Sequence, residues 1–311
     1  MKSTLKKLFA ATLVASQLLT GMAAFAEEEV GEVEYEEVQE DAANQTETEV
    51  GYIHPMRPTP VDVHTEPFTI MVLGIDTGEY EQAGKDKADV TFVITVNPNT
   101  GNSTVLSVPN NLYVLDPATD EPNQLTHTYT EYGVAGVANS LQALLNIPID
   151  YYITLDMEGF HKLIGELGNL TLTPTDTFTQ EGYEFVEDEP VDLDGEGVLQ
   201  YLRQRDHEKN NYGVQTRAVE ILSALLLKMN EEDSLDFLPA IESVLQDHVL
   251  TNLDIPTIEV LADQYYNTIF NIDFNKLEGH RVQRQGRDYE EPNPVDLEEA
   301  INTLRTELEL D

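Results

Sequence analysis

The alternation of strand-like apolar runs with helix-like periodicities predicts an α/β layered fold with a mixed sheet. Three observations carry that expectation. FTIMVLGID (68–76) is a continuous apolar run bounded by polar residues, which suits a strand buried on both faces. DVTFVITV (89–96) and STVLSVP (103–109) flank the turn NPNTG and read as a β-hairpin. YYITLD (151–156) reads as a further strand between two stretches of helical spacing, VAGVANSLQALLN (134–146) and EGFHKLIGELG (158–168), the second stopped by Gly168.

In chain order, residues 1–26 hold Lys2, Lys6 and Lys7, then the apolar run LFAATLVASQLLTGMAAFA, closing on the small-x-small triplet Ala24, Phe25, Ala26. This is the pattern of a secretory signal peptide, with an uncleaved membrane anchor as the alternative. Either way the domain is expected to face outward, secreted or held in the cell envelope. Residues 27–66 are acidic, then proline-rich, with no sustained apolar period, and read as a solvated linker. The folded domain is expected over 67–311, with a core at 68–230 and an extension at 231–311. In that core, Asp76 ends the first strand and Asp89 starts the next. After the 158–168 helix, LTLTPT returns as a strand and an acidic loop follows at 176–192. DGEGVLQYLRQR then reads as a helix whose basic end carries Arg203 and Arg205, and a second helix over 214–230 has Arg217 in its first turn. Segments 234–246 and 256–270 also have helical spacing. RVQRQGR (281–287) alternates as an extended segment, read as a soluble edge strand or as a second anion contact.

The balance of 17 Lys and Arg against 58 Asp and Glu gives a formal charge of -41. Such a field repels nucleic acid and anionic lipid at long range, so no nucleic-acid partner is expected and any anion must be met locally. Cleavage of the leader would remove three lysines and no acid, making the mature chain more acidic still. There is no cysteine, which excludes disulfides and thiolate metal sites. The seven histidines show no metal-ligand spacing, and no Gly-rich phosphate loop or Ser-His-Asp order is present.

Against that background the stretch YLRQRDHEKNNYGVQTR (201–217) concentrates three of only eight arginines. Arg203 and Arg205 would diverge by about 200° on a continuing helix, so they converge only if the helix ends there, and DHEKNNYG supplies a polar ending. Converging guanidinium forks suit a diphosphate; the alternative is pairing with the surrounding carboxylates. Asp76 and Asp89 suit a hard divalent cation shared with phosphate, or are strand-end caps.

The ordered set LGID (73–76), KADV (87–90), SVPNNLYV (107–114), NIPIDYYITLDMEGFHKLIGELG (146–168), LDGEGVLQYLRQR (193–205) and NYGVQTR (211–217) resembles the LytR-CpsA-Psr family over roughly residues 68–230. The resemblance implies an α/β sandwich with a central mixed sheet flanked by helices and an apolar channel for a prenyl tail. It also implies an extracytoplasmic phosphotransferase that moves a glycopolymer, a teichoic acid or capsule for example, from undecaprenyl pyrophosphate to a peptidoglycan hydroxyl at the outer face of the cytoplasmic membrane. Carried over by motif, Asp76 and Asp89 fall on Mg²⁺-binding acids, and Lys87, Arg203, Arg205 and Arg217 on pyrophosphate contacts. Asp89, Arg203 and Arg205 are the implied catalytic set. The chain departs from the pattern where Arg-Ser-Asp reads Lys87, Ala88, Asp89 and where Pro-Arg-Asp reads Pro109, Asn110, Asn111. Arginine and glutamine are further replaced by Val214 and Ala218. These losses set active transfer against a second reading, a prenyl-pyrophosphate binding or regulatory module.

Overall fold

The computed structural model describes residues 52–77, 86–204, 212–231, 247–264, 272–284 and 286–310. The first strand is β1 (Phe68–Asp76), and an antiparallel hairpin follows in β2 (Lys87–Asn97) and β3 (Asn102–Val108). A short ladder of β4 (Tyr113–Leu115) and β5 (Pro122–Gln124) leads into α1 (Leu125–Leu145). Next come β6 (Tyr151–Asp156), α2 (Met157–Leu167) and β7 (Leu170–Leu172), then the small hairpin of β8 (Phe178–Gln180) and β9 (Tyr183–Phe185), and β10 (Val191–Leu193). The chain continues through α3 (Gly195–Arg203), α4 (Tyr212–Glu231), β11 (Val249–Thr251) and α5 (Ile255–Gln264). It ends with β12 (Ile272–Lys276), the hairpin β13 (Gly279–Arg284) and β14 (Arg287–Pro292), and α6 (Pro294–Glu307).

Six strands form the central sheet in the order β11-β6-β1-β2-β3-β12. It is mixed: β1 runs parallel to β6 and antiparallel to β2, and β12 runs parallel to β3. The period of two along β1 divides its side chains between two layers. Met71, Leu73 and Ile75 are buried with Val137, Leu141 and Leu145 of α1 and Leu304 of α6. Val72, on the other face, packs with Ile164 of α2, Val198 of α3 and Ile221 of α4. This is the α/β sandwich that the sequence led us to expect.

The helices start and stop for local reasons. Asp156 and Asp194 cap α2 and α3, accepting from Gly159 N at 2.7 Å and Gly197 N at 2.8 Å. Gly168, at φ 79°, ends α2. The helix expected at 134–146 is only the second half of α1. Gly133, at φ 63° and ψ -149°, kinks the helix and joins an earlier segment that the apolar spacing did not reveal.

Two further expectations are revised. The segment expected to be linker up to 66 is, over 52–66, fastened to the domain. Arg57 Nε donates to Asp150 Oδ1 at 2.7 Å, Asn139 and Gln142 bond the backbone of Tyr52 and His54, and Val63 is buried. The acidic loop at 176–192 contains β8 and β9, where Phe178 pairs with Phe185 across the hairpin, their rings 4.6 Å apart, and Tyr183 stacks on Phe185. Segment 281–287 begins as an extended strand over 281–284, as read from its alternation, at the edge of the β13–β14 ladder, where Arg281 pairs with Asp288 and Arg284 with Glu291 across the strands. The leader, the acidic stretch to residue 51 and segment 234–246 lie outside the described residues, as does the end of 256–270 beyond Gln264. Among the described residues no helix is long and apolar enough to cross a membrane.

Candidate functional site

The site grows out of one irregularity between β1 and β2. Their pairing is regular from Phe68↔Val96 to Gly74↔Val90, and then Ile75 pairs with Ala88, leaving Asp89 as an extra residue. A bulge of this kind breaks the strict alternation of side chains. Asp89 and Val90 consequently both line one small, nearly filled pocket of about 10 Å³, closed by Asn110 and by Val214, Gln215 and Ala218 of α4. Asn110 Nδ2 donates to Asp89 Oδ1 at 3.4 Å, and Gln215 Nε2 donates to the Ser107 carbonyl at 3.0 Å.

An apolar groove of about 150 Å³ adjoins this pocket, roofed by α2 and α4 over the β1–β2 face. Val72, Phe92, Phe160, Leu202 and Leu225 are among its walls, with almost no polar surface. Val90 and Ala218 line both the groove and the Asp89 pocket. Met157 is shared between the groove and a third pocket of about 90 Å³, which carries Asp76, Glu158, His161 and Glu196. The groove therefore adjoins two pockets that carry carboxylates.

The residues expected to bind phosphate are placed as follows. Lys87 is exposed and pairs with Asp76 across the β1–β2 ladder. Arg203 closes the last turn of α3 directly after Leu202, which faces the groove. Arg205 lies outside the described residues. Arg217 is buried, 3% exposed. Its Nη2 donates to the Gln204 carbonyl, and its guanidinium lies 5.6 Å from the Phe178 ring and 5.9 Å from the Tyr201 ring. The Tyr201 hydroxyl donates to Glu220 Oε2 at 2.5 Å. Burial pushes the Glu220 carboxyl above its ordinary range, against the opposing pull of the Tyr201 hydrogen bond and the Arg217 charge. Burial likewise pushes the Tyr201 phenol well up, aided by the Glu220 carboxylate.

Asp76 and Asp89 line different pockets, and among the described residues no three His, Asp or Glu side chains gather closely enough to hold an ion. The donor chemistry still fits Mg²⁺, which takes one or two carboxylates and completes its shell with water and phosphate oxygens. The motif departures at Asn110, Val214 and Ala218, far apart in sequence, meet at Asp89. Sequence reasoning missed the Tyr201–Glu220 pair; the signal present was that Glu220 lies one helical turn beyond Arg217.

A model of the LytR_cpsA_psr family matches residues 30–306. A polyisoprenyl-teichoic acid–peptidoglycan teichoic acid transferase TagU of Enterococcus faecalis is 28% identical over 244 residues, covering 78% of this chain and 80% of that protein. The crystal structure of Bacillus subtilis TagV superposes with a TM-score of 0.66 at 25% identity, covering 79% of this chain and 99% of that one. The structure of YwtF (TagT), a LytR-CPS2A-psr family protein with bound octaprenyl pyrophosphate lipid, shares the fold at 21% identity with a TM-score of 0.63, covering 82% of this chain and 95% of that one.

Proposed function

Since this chain belongs to the LytR-CpsA-Psr family, we propose that it binds a polyprenyl-pyrophosphate-linked glycopolymer at the outer face of the cytoplasmic membrane and transfers the polymer to peptidoglycan. The observation that carries this reading is the apolar groove that shares Val90 and Ala218 with the pocket of Asp89. An isoprenoid tail matches such a groove because both are apolar, and its burial is favourable at about 25 cal/mol per Å². The diphosphate would then lie where the groove gives way to polar groups.

Arg203 and Arg205, with Lys87, would hold the diphosphate against the protein's long-range negative field, and Arg217 would add charge from beneath. Asp76 and Asp89 would hold Mg²⁺, which supplies charge neutralisation on phosphate oxygens when bound. In the transfer an acceptor hydroxyl oxygen bonds to the phosphorus bearing the sugar, and its proton leaves to water. The phosphoanhydride bond breaks and prenyl phosphate departs with the electron pair. The role of Arg203 and Arg205 is to stabilise the charge that grows on that leaving phosphate.

A second reading, a prenyl-pyrophosphate binding module without transfer, is favoured by Asn110, Val214 and Ala218, uncharged residues that line the pocket of Asp89 where the family pattern has charged or amide side chains. Lipid-linked polymer incubated with peptidoglycan fragments, with and without Mg²⁺, separates the two. Polymer joined to the fragments supports transfer; bound lipid without product supports the module; absence of both binding and product sinks the shared reading.

A further inference from the structure

Among the described residues Arg217 is the one arginine in the fully buried class. Its surroundings are those of a fixed support. Phe178 and Tyr201 offer ring faces at 5.6 and 5.9 Å, and the ionised form of Glu220 is stabilised by its charge. Tyr201 belongs to α3 and Glu220 to α4, so the 2.5 Å bond between them ties the two helices beside the guanidinium. From that position Arg217 Nη2 donates to the carbonyl of Gln204, where the backbone leaves the helix at φ -56° and ψ 125°. The last carbonyls of a helix have no partner within it, and here a side chain of the next helix supplies one. Arg203 immediately precedes that carbonyl, and Leu202 before it lines the groove. Gly213 leaves room for this arrangement, since a Cβ there would meet Arg217 Nη1 at 2.9 Å.

We propose that Arg217 acts as a positioning residue rather than an anion ligand: steadied by Phe178, Tyr201 and Glu220, it pins the Gln204 carbonyl and so sets where Arg203 points beside the apolar groove. Tyr201 and Glu220 belong to the same device and have no contact with the ligand. The proposal rests on the groove being a prenyl-pyrophosphate site.

The test compares geranylgeranyl pyrophosphate with geranylgeraniol, which has the tail but no phosphate, on the whole chain and on Tyr201→Phe, Glu220→Gln and Arg217→Lys. Each substitution is expected to weaken the pyrophosphate about tenfold, the size of one buried hydrogen bond to a charged group, and to leave the alcohol unchanged. Glu220→Gln added to Arg203→Ala should lose no more than Arg203→Ala alone, because the two act through one path. Wild-type pyrophosphate affinity in Tyr201→Phe and Glu220→Gln, with loss confined to Arg217→Lys, makes Arg217 a direct ligand and overturns the proposal. Equal weakening of both ligands reduces the network to general stability and also overturns it. Hydrogen exchange of the backbone amides at 200–204 gives a ligand-free readout, expected to quicken in all three variants. Unchanged exchange overturns the positioning role even if no pyrophosphate binds, whereas a wild-type chain that binds neither ligand sinks the functional reading alone.

Discussion

The two faces of the central sheet are both apolar in sequence, yet they are filled differently. Toward α1, Met71 and Leu73 are fully buried and pack with Val137, Ala138 and Leu141 of the helix. Toward α2 and α4, Val72 and Val90 are only partly covered and a groove of about 150 Å³ stands open between sheet and helices. An apolar surface left half-covered forgoes stabilisation of about 25 cal/mol per Å², and it is where an apolar ligand gains most by binding. The closed face holds the sheet together, and the open one offers the site.

The largest effect that would sharpen this contrast is on stability. Met71→Ala should lower the unfolding free energy by about 2–5 kcal/mol without altering prenyl affinity, whereas Val72→Ala should lower it by about 1 kcal/mol and weaken tail binding. Equal destabilisation in urea titrations would break the distinction between the faces. Next comes the mouth of the groove. Arg203→Ala combined with Arg205→Ala should weaken prenyl pyrophosphate by about 30-fold or more and leave the prenyl alcohol unchanged, as read by calorimetry.

A smaller effect is expected from pH. Burial raises the Glu220 carboxyl above its value in the unfolded chain, so the folded protein keeps that proton to higher pH. The resulting stability is fully present below the unfolded pKa and fades as pH rises through the folded one. The unfolding free energy of the wild type minus that of Glu220→Gln should therefore fall as pH is raised from about 4 to 7. A difference that grows with pH would show that the Arg217 charge outweighs desolvation. The smallest effect belongs to the surface: Arg281→Ala removes a half-exposed cross-strand pair with Asp288 and should leave both the urea unfolding midpoint and the pyrophosphate affinity essentially unchanged.

Much of the fold was legible because its signals are local. The apolar run of β1, the turn at 97–101 and the Asp156 cap each act over a few residues, and each element formed where its own pattern placed it. The first half of α1 was not legible, since a kink at Gly133 joins two helices that share no single apolar stripe. Nor was the docking of residues 52–66, which depends on Asp150 being presented 93 positions from Arg57. At the site, the motifs named Asp76, Asp89, Arg203 and Arg217. They could not show that Asp89 is a bulged residue or that Arg217 is buried between aromatic rings.

The sequence by itself determined the layered α/β architecture, the family and the local excess of arginine in a strongly acidic chain, because periodicity, motif spacing and charge are properties of neighbouring residues. Only the tertiary structure decided that one sheet face is closed and the other open, and that Asn110, Val214 and Ala218 converge on Asp89. It also decided that Arg217 supports the end of α3 from below. Those outcomes depend on strand register and on how far each helix stands from the sheet, quantities set by the packing of the whole core and written in no single segment.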